Sequence, residues 1–314
     1  MAAPTWRLAV GLAKETTWGT AVTATTFYPV KKPSGFVPQY EDIEDTDYRN
    51  NASALQAYYE GVGQTPVDTG DMLFFPDDSG HWLMALLGAD AISGAGPYTH
   101  ALTLLNTALP PSYTVVKYDS LIATSRQVAG VRVSEVILKF STKGKLTIAA
   151  KGIGKIAGTI AKPTEAYSAA SAYLGWQASA TVSAANTKLE EGEIRLTRTL
   201  EPIFGANNSQ DMTDQMVDVL SVTGSLTFAP VDDTEKAYYT NNTQPNVSIV
   251  FTSGTNTLTL QMSKAAFAKG SDIDHGSKYA KFRTPFKAVA NATDAGTGNA
   301  PFKATLVNGK SAAY

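Results

Sequence analysis

Cysteine is absent from the 314 residues, which excludes disulfides, thiolate metal sites and a cysteine nucleophile together. Packing alone must hold the fold. Charge is scarce as well: charged residues make up 17% of the chain against 43% apolar, below the quarter usual in soluble domains. A net charge of -2 and a pI near 6.0 call for neither nucleic acid nor membrane as a tight partner. No apolar run approaches the roughly 20 residues that a spanning helix needs. Gly11 interrupts the short apolar run at residues 8–12, so no leader pattern opens the chain. These absences predict a protein used in a cytoplasm, or in a particle assembled there, without membrane insertion of its own.

Groups for chemistry are equally sparse. The three histidines, His81, His100 and His275, share no metal-ligand spacing, and His81 reads as a cap or surface residue. Asp272, Asp274 and His275 could hold a cation through alternate side chains, but a polar turn explains them better. Residues 152–155 (GIGK) imitate a phosphate loop only superficially, since Ile156 follows Lys155. Residues 77–80 lack the alternation of a calcium loop, and no Gly-x-Ser-x-Gly elbow occurs. The pairs Tyr58–Tyr59 and Tyr238–Tyr239 stand in no basic groove, so core or interface roles suit them better than base stacking. The sequence therefore favours a structural or interaction protein without cofactors over an enzyme. A particle-surface β-sandwich module binding carbohydrate or a receptor is the runner-up, and a hydrolase with an unseen site the third choice.

What the chain does have is Ser, Thr, Ala, Asn and Gly on alternating strands. Residues 192–228 show this best. Ile194 and Leu196 alternate with Glu193, Arg195 and Thr197; Leu220, Val222, Leu226 and Phe228 alternate with Ser221, Thr223, Ser225 and Thr227. Gly224 falls on the apolar side, as at a bulge or a close backbone approach. The polar excursion between these arms is too long for a turn and patternless, as functional loops often are.

Elsewhere, residues 1–50 read as a proline-broken arm carrying the acidic run 41–47. Residues 76–88 form a helix capped by Gly88 and laid on a sheet face. Hairpins are expected over 131–151, where Lys139, Ser141, Lys145 and Thr147 share the polar face, and over 247–262. A weak helix falls near 232–239, a last strand at 302–307, and residues 152–171 read as an Ala/Gly/Ser-rich connector between half-sheets at about 51–160 and 172–314. The expected fold is mainly β: a sandwich or barrel with one flanking α-helix and long loops, one domain over residues 1–314. Charge is uneven, with five Lys/Arg and twelve Asp/Glu in residues 1–100, a net of -7, leaving +5 for the remainder. In a self-assembling protein such asymmetry can orient subunits.

In order, residues 10–20 (VGLAKETTWGT), 83–88 (LMALLG), 111–116 (PSYTVV), 130–139 (GVRVSEVILK), 146–151 (LTIAAK), 193–202 (EIRLTRTLEP), 222–228 (VTGSLTF) and 302–308 (FKATLVN) resemble the tail tube proteins of long-tailed bacteriophages. The resemblance implies subunits in hexameric rings, stacked into a virion tail tube that holds the tape measure protein and later passes double-stranded DNA without binding it specifically. Tail tip and tail terminator proteins are implied as further partners, and the host cytoplasm as the place of assembly.

By that carry-over, Ser134, Glu135, Ser141, Thr147, Glu193, Thr197, Ser221, Thr223, Ser225 and Thr227 are lumen-sheet candidates. Arg132, Lys139, Lys145 and Arg195 fit a neutral or acidic lumen only if acids such as Glu135 and Glu193 pair with them. The arms of 192–228 are expected to close the barrel side to side. Their loop is expected to reach the next ring through Phe204, Asn207, Asn208, Asp211, Met212, Asp214 and Met216, with Phe204, Met212 and Met216 as apolar anchors. Glu41, Asp42, Glu44, Asp45 and Asp47 are expected to meet Lys278, Lys281 and Arg283 across a subunit interface.

Overall fold

The computed structural model describes residues 8–50, 52–119, 124–268, 273–275 and 278–314. The chain begins with β1 (Leu8–Lys14), β2 (Thr26–Pro29), the short β3 (Ser34–Gly35) and a long hairpin of β4 (Gln39–Asp45) and β5 (Ala57–Asp68). After β6 (Met72–Leu73) come α1 (Gly80–Leu87), β7 (Gly88–Ser93), β8 (Tyr98–Leu104), β9 (Tyr113–Asp119) and the long β10 (Thr124–Ser141). Next are β11 (Thr147–Gly154), β12 (Gly158–Ala161), β13 (Ala178–Val182), β14 (Ala185–Asn186), β15 (Leu189–Thr197), β16 (Leu200–Ile203), β17 (Asp214–Val217) and β18 (Ser221–Phe228). Last are α2 (Thr234–Thr240), β19 (Val247–Ser253), β20 (Asn256–Met262), β21 (Ala265–Phe267), β22 (Phe282–Ala288) and β23 (Lys303–Asn308).

Two large antiparallel sheets pack face to face. The larger runs β4-β5-β11-β10-β15-β18-β22-β21, and its second branch, β2-β1-β9, joins at β10. The other runs β14-β13-β19-β20-β23-β8-β7. Alternation makes each sheet one-sided. Leu138, Phe140, Ile194, Leu196, Val222, Leu226 and Phe286 share one core with Ile249, Phe251, Leu258, Leu260, Phe302 and Leu306, and Phe140 meets Phe251 edge to face at 5.3 Å. Both sheets draw strands from either side of residues 152–171, and that stretch itself contains β12, paired with β10.

β10 serves both branches because it bends. Its first half pairs with β9 and β12, its second with β11 and β15, with register shifts between Val128 and Val131 and between Val133 and Glu135. Gly130 sits at φ 67, where a side chain would be strained. The buried Glu15 carboxylate holds this bend, accepting bonds from Gly130 N (2.8 Å), Gly19 N (2.9 Å), Ser112 Oγ (2.7 Å) and Thr114 Oγ1 (2.8 Å). A buried carboxylate is tolerated when its oxygens are satisfied in this way.

Four expectations change. Residues 8–29 are not an arm, because β1 lies between β2 and β9 with Val10 and Leu12 in the core. α1 packs on the sheets as expected, but it begins at Gly80 rather than at residue 76, and all eight of its residues are buried, as an all-round apolar helix requires. The excursion within 192–228 is not patternless, since β16 and β17 form a hairpin. The flanking arms, β15 and β18, pair with each other and then with β10 and β22. Both are interior strands with both edges used, so neither can pair with a neighbouring subunit. Gly224 is a close approach as expected, since a Cβ there would collide with the Glu193 carbonyl oxygen across the ladder.

Candidate lumen face and subunit edges

Period-two alternation puts the polar residues of β10, β11, β15, β18 and β22 on the face of the larger sheet turned away from the core. The ladders form transverse rows: Asp68–Lys151–Glu135–Thr197–Ser221, then Ala149–Ile137–Arg195–Thr223–Lys287. Next come Thr147–Lys139–Glu193–Ser225–Pro285 and Ser141–Glu191–Thr227–Arg283. Of the lumen candidates, Glu135, Ser141, Thr147, Glu193, Thr197, Ser221, Thr223, Ser225 and Thr227 thus share one surface. Ser134 lies in the β10 bulge, its hydroxyl on the Lys151 carbonyl.

The cations on this face are largely committed. Arg195 bonds Glu135 at 2.7 Å and Glu193 at 3.2 Å, Lys151 reaches the other Glu135 oxygen at 2.9 Å, and Lys139 stands 4.0 Å from Asp71. The hydrogen bond to Glu135 raises the Lys151 pKa. Exposed pairs of this kind add only about 0–1 kcal/mol to stability, but they cancel charge where it stands. Lys145 lies beside Lys139 and Thr147 without an ion pair among the described residues. Lys151 escaped sequence inspection, although the period carrying Thr147 outward carries Lys151 with it.

Arg132 departs from the face. Its side chain is buried under the β16–β17 hairpin, where Nη1 donates to the Gln215 carbonyl and stands 3.3 Å from Asp214, with its guanidinium over the Trp18 ring at 5.8 Å. Burial lowers its pKa, against the pull of Asp214. The same hairpin is tied down by the Gly63 amide on the Gln210 carbonyl, by Asp211 accepting from Ile156 N (2.8 Å) and by Met212, which is buried. Met212 is therefore a self-contact and not an anchor for another ring. Asn207 and Asn208 are exposed at the tip, Phe204 is half-buried and Met216 is half-exposed. The docking groups Trp18, Gln210 and Gln215 carried no pattern that would have singled them out.

The acidic run forms β4, not a loop. In the outer half of the β4–β5 hairpin Glu41, Asp42, Ile43, Glu44, Tyr58 and Tyr59 are all exposed, and Asp45 is half-exposed and ion-paired with Arg49. At the opposite end of the same sheet, Arg283 and Lys287 lie on β22 with Lys278 and Lys281 close by in sequence. Lys281 bonds Glu190 at 2.9 Å. The acidic and basic candidates thus lie toward opposite ends of one continuous sheet, with β21 pairing the outer side of β22.

The outward face of the smaller sheet differs. Ser179, Thr181, Ser248, Thr257, Thr259 and Thr305 cover it, with Lys303 in the same rows. Its inner side buries His100, held by Asp90 at 3.0 Å and the Lys310 carbonyl at 2.8 Å. His81 is likewise buried, between the Tyr113 and Tyr314 rings, and is no surface residue. His275 and Asp274 are exposed, and Asp272 lies outside the described residues. Among the described residues no cluster of acids and histidines is arranged to hold a metal.

Comparison with curated proteins finds no match. The sequence profile described as phage tail tube protein matches residues 5–306, and the chain accordingly belongs to that family, whose members are structural subunits of the virion tail and assemble into a tube.

Proposed function

We propose that the single domain closes rings by joining the β4–β5 end of the larger sheet in one copy to its β21–β22 end in the next. The rings, six copies each by family resemblance, stack with the row-patterned face of the larger sheet toward the lumen. One observation supports this: among the described residues the two ends of the larger sheet bear opposite charge, Glu41, Asp42, Glu44, Asp45 and Asp47 at the β4 end and Lys278, Lys281 and Arg283 at the β21–β22 end. Head-to-tail contact between two different edges of a subunit generates a closed ring when the rotation closes, and pairing removes edges that otherwise invite uncontrolled addition. An isolated two-stranded hairpin is marginal in water, so the exposed Ile43, Tyr58 and Tyr59 of β4–β5 suit a hairpin completed by a neighbour.

The role is structural and not catalytic. The tube would hold the tape measure protein and join tail tip and terminator proteins in the host cytoplasm before passing duplex DNA. The exposed hairpin tip at Asn207 and Asn208, flanked by Phe204 and Met216, would face the adjacent ring.

The absence of cysteine makes the test clean. Thr223→Cys and Thr259→Cys, on the outward faces of the two sheets, should both react with a bulky polyethylene glycol maleimide in the monomer. In assembled tubes, seen as uniform rods by negative stain, Thr259→Cys should stay reactive and Thr223→Cys should be shielded. The reverse pattern would place the smaller sheet at the lumen, and a protein that stays monomeric at high concentration, even on tail-tip nuclei, would rule out the tube.

A further inference from the structure

A conduit for a polyanion has to avoid gripping it, yet the proposed lumen face carries Lys139, Lys145, Lys151, Arg195, Arg283 and Lys287. A double-stranded nucleic acid would release counterions from each unmasked cation it met, and the contacts would add along the tube. The face meets this problem with one residue more than any other. Among the described residues Glu135 is the only carboxylate on this face ion-paired with two cations: Oε1 to Arg195 Nη1 at 2.7 Å and Oε2 to Lys151 Nζ at 2.9 Å. Its side chain is 13% exposed, while Arg195 is 42% and Lys151 48% exposed. The anion sits low in the sheet and the cations fold over it. Register fixes the arrangement, because Glu135 faces Lys151 on β11 and Thr197 on β15, one row from Arg195.

We propose that Glu135 is a charge mask, a positioning residue that neutralises Arg195 and Lys151 in place so that duplex DNA slides past this face instead of binding to it. This rests on the assignment of the face to the lumen. Glu193, 3.2 Å from Arg195, completes the neutralisation on the next row.

The test uses tubes assembled from full-length protein, a fluorescent 20-base-pair duplex and sedimentation. Wild-type tubes should carry down little duplex at any salt. Glu135→Gln tubes should retain at least about tenfold more at about 50 mM salt and release it by about 500 mM, since each phosphate contact adds roughly 0.9 to the salt slope. Adding Lys151→Gln and Arg195→Gln to that variant should restore the wild-type result, and Glu193→Gln alone should give an intermediate one, which serves if Glu135→Gln fails to assemble. Retention equal to wild type in both single variants, with Thr223→Cys shielded in tubes, would overturn the mask while leaving the lumen assignment standing. Retention that the cation substitutions fail to reverse would also overturn it. Free labelling of Thr223→Cys in tubes would instead bring down the assignment itself.

Discussion

Three glutamates show how far environment decides what one residue type does. Glu15 is buried and fully satisfied by two amides and two hydroxyls, so it fixes backbone; Glu135 sits low in the outward face and is satisfied by two cations, so it sets surface charge; Glu41 is exposed on β4. Histidine gives the sharper test at this scale. Burial, aided by Lys310 and Lys14, pushes the His81 pKa down to about 3 from an ordinary 6.5. Between those values the unfolded chain binds a proton that the folded chain refuses, so the contribution of His81 is whole above pH 6.5 and shrinks as pH falls toward 3. The slope is at most about 1.4 kcal/mol per pH unit. Urea unfolding of the wild type and of His81→Phe should therefore converge as pH drops from 7 to 5, with the wild type losing stability faster. Parallel losses would show that burial does not hold the His81 pKa below its ordinary value.

At the scale of elements the proposed assembly rests on two hairpins, and they differ in how much of themselves they bury at home. β16–β17 is held by Arg132, Asp211 and Met212 against its own sheet, which leaves Phe204, the Asn207–Asn208 tip and Met216 to meet another copy. Two substitutions a few residues apart should consequently part ways. Met212→Ala should destabilise the monomer by about 2–5 kcal/mol, as for buried methionines generally. Met216→Ser should leave monomer stability within about 0.5 kcal/mol yet shorten tubes or stop at single rings. Thermal melts and tube-length counts by electron microscopy separate the outcomes, and full-length tubes from Met216→Ser would remove this hairpin from the ring-to-ring contact. β4–β5 is the opposite case, a hairpin whose outer half finds no core in its own subunit.

For the whole molecule the decisive fact is the order of strands in the larger sheet, which sends the acidic β4 and the basic β22, with β21 beyond it, toward opposite ends. Charge reversal tests the consequence. Glu41→Lys with Glu44→Lys should abolish ring formation, as should Lys278→Glu with Arg283→Glu, because like charges across an interface cost several kcal/mol. Mixing the two variants should allow alternating contacts, seen as recovered oligomers by analytical ultracentrifugation. Rings formed by either variant alone would show that these charges do not set the lateral contact. Exposed single pairs within a subunit are worth too little to have the same effect.

Much of this was legible before any coordinates. Period two marked the polar residues of β15 and β18 and most of β10, because a strand alternates whatever it pairs with, and it placed Thr223 and Thr227 together correctly. The compositional lack of charge and richness in Ser and Thr already pointed toward packed, hydroxyl-covered sheets. What alternation cannot give is the neighbour of a strand. That β15 and β18 are interior, that β10 bends at Gly130 from one branch to another, that α1 is fully enclosed and that Arg132 lies under a hairpin some 80 positions further on all depend on contacts between distant segments. Sequence by itself determined which residues of a regular strand share a face, a property of local geometry. Only the tertiary structure decided which strands are edges and which anion answers which cation, because both are properties of pairs.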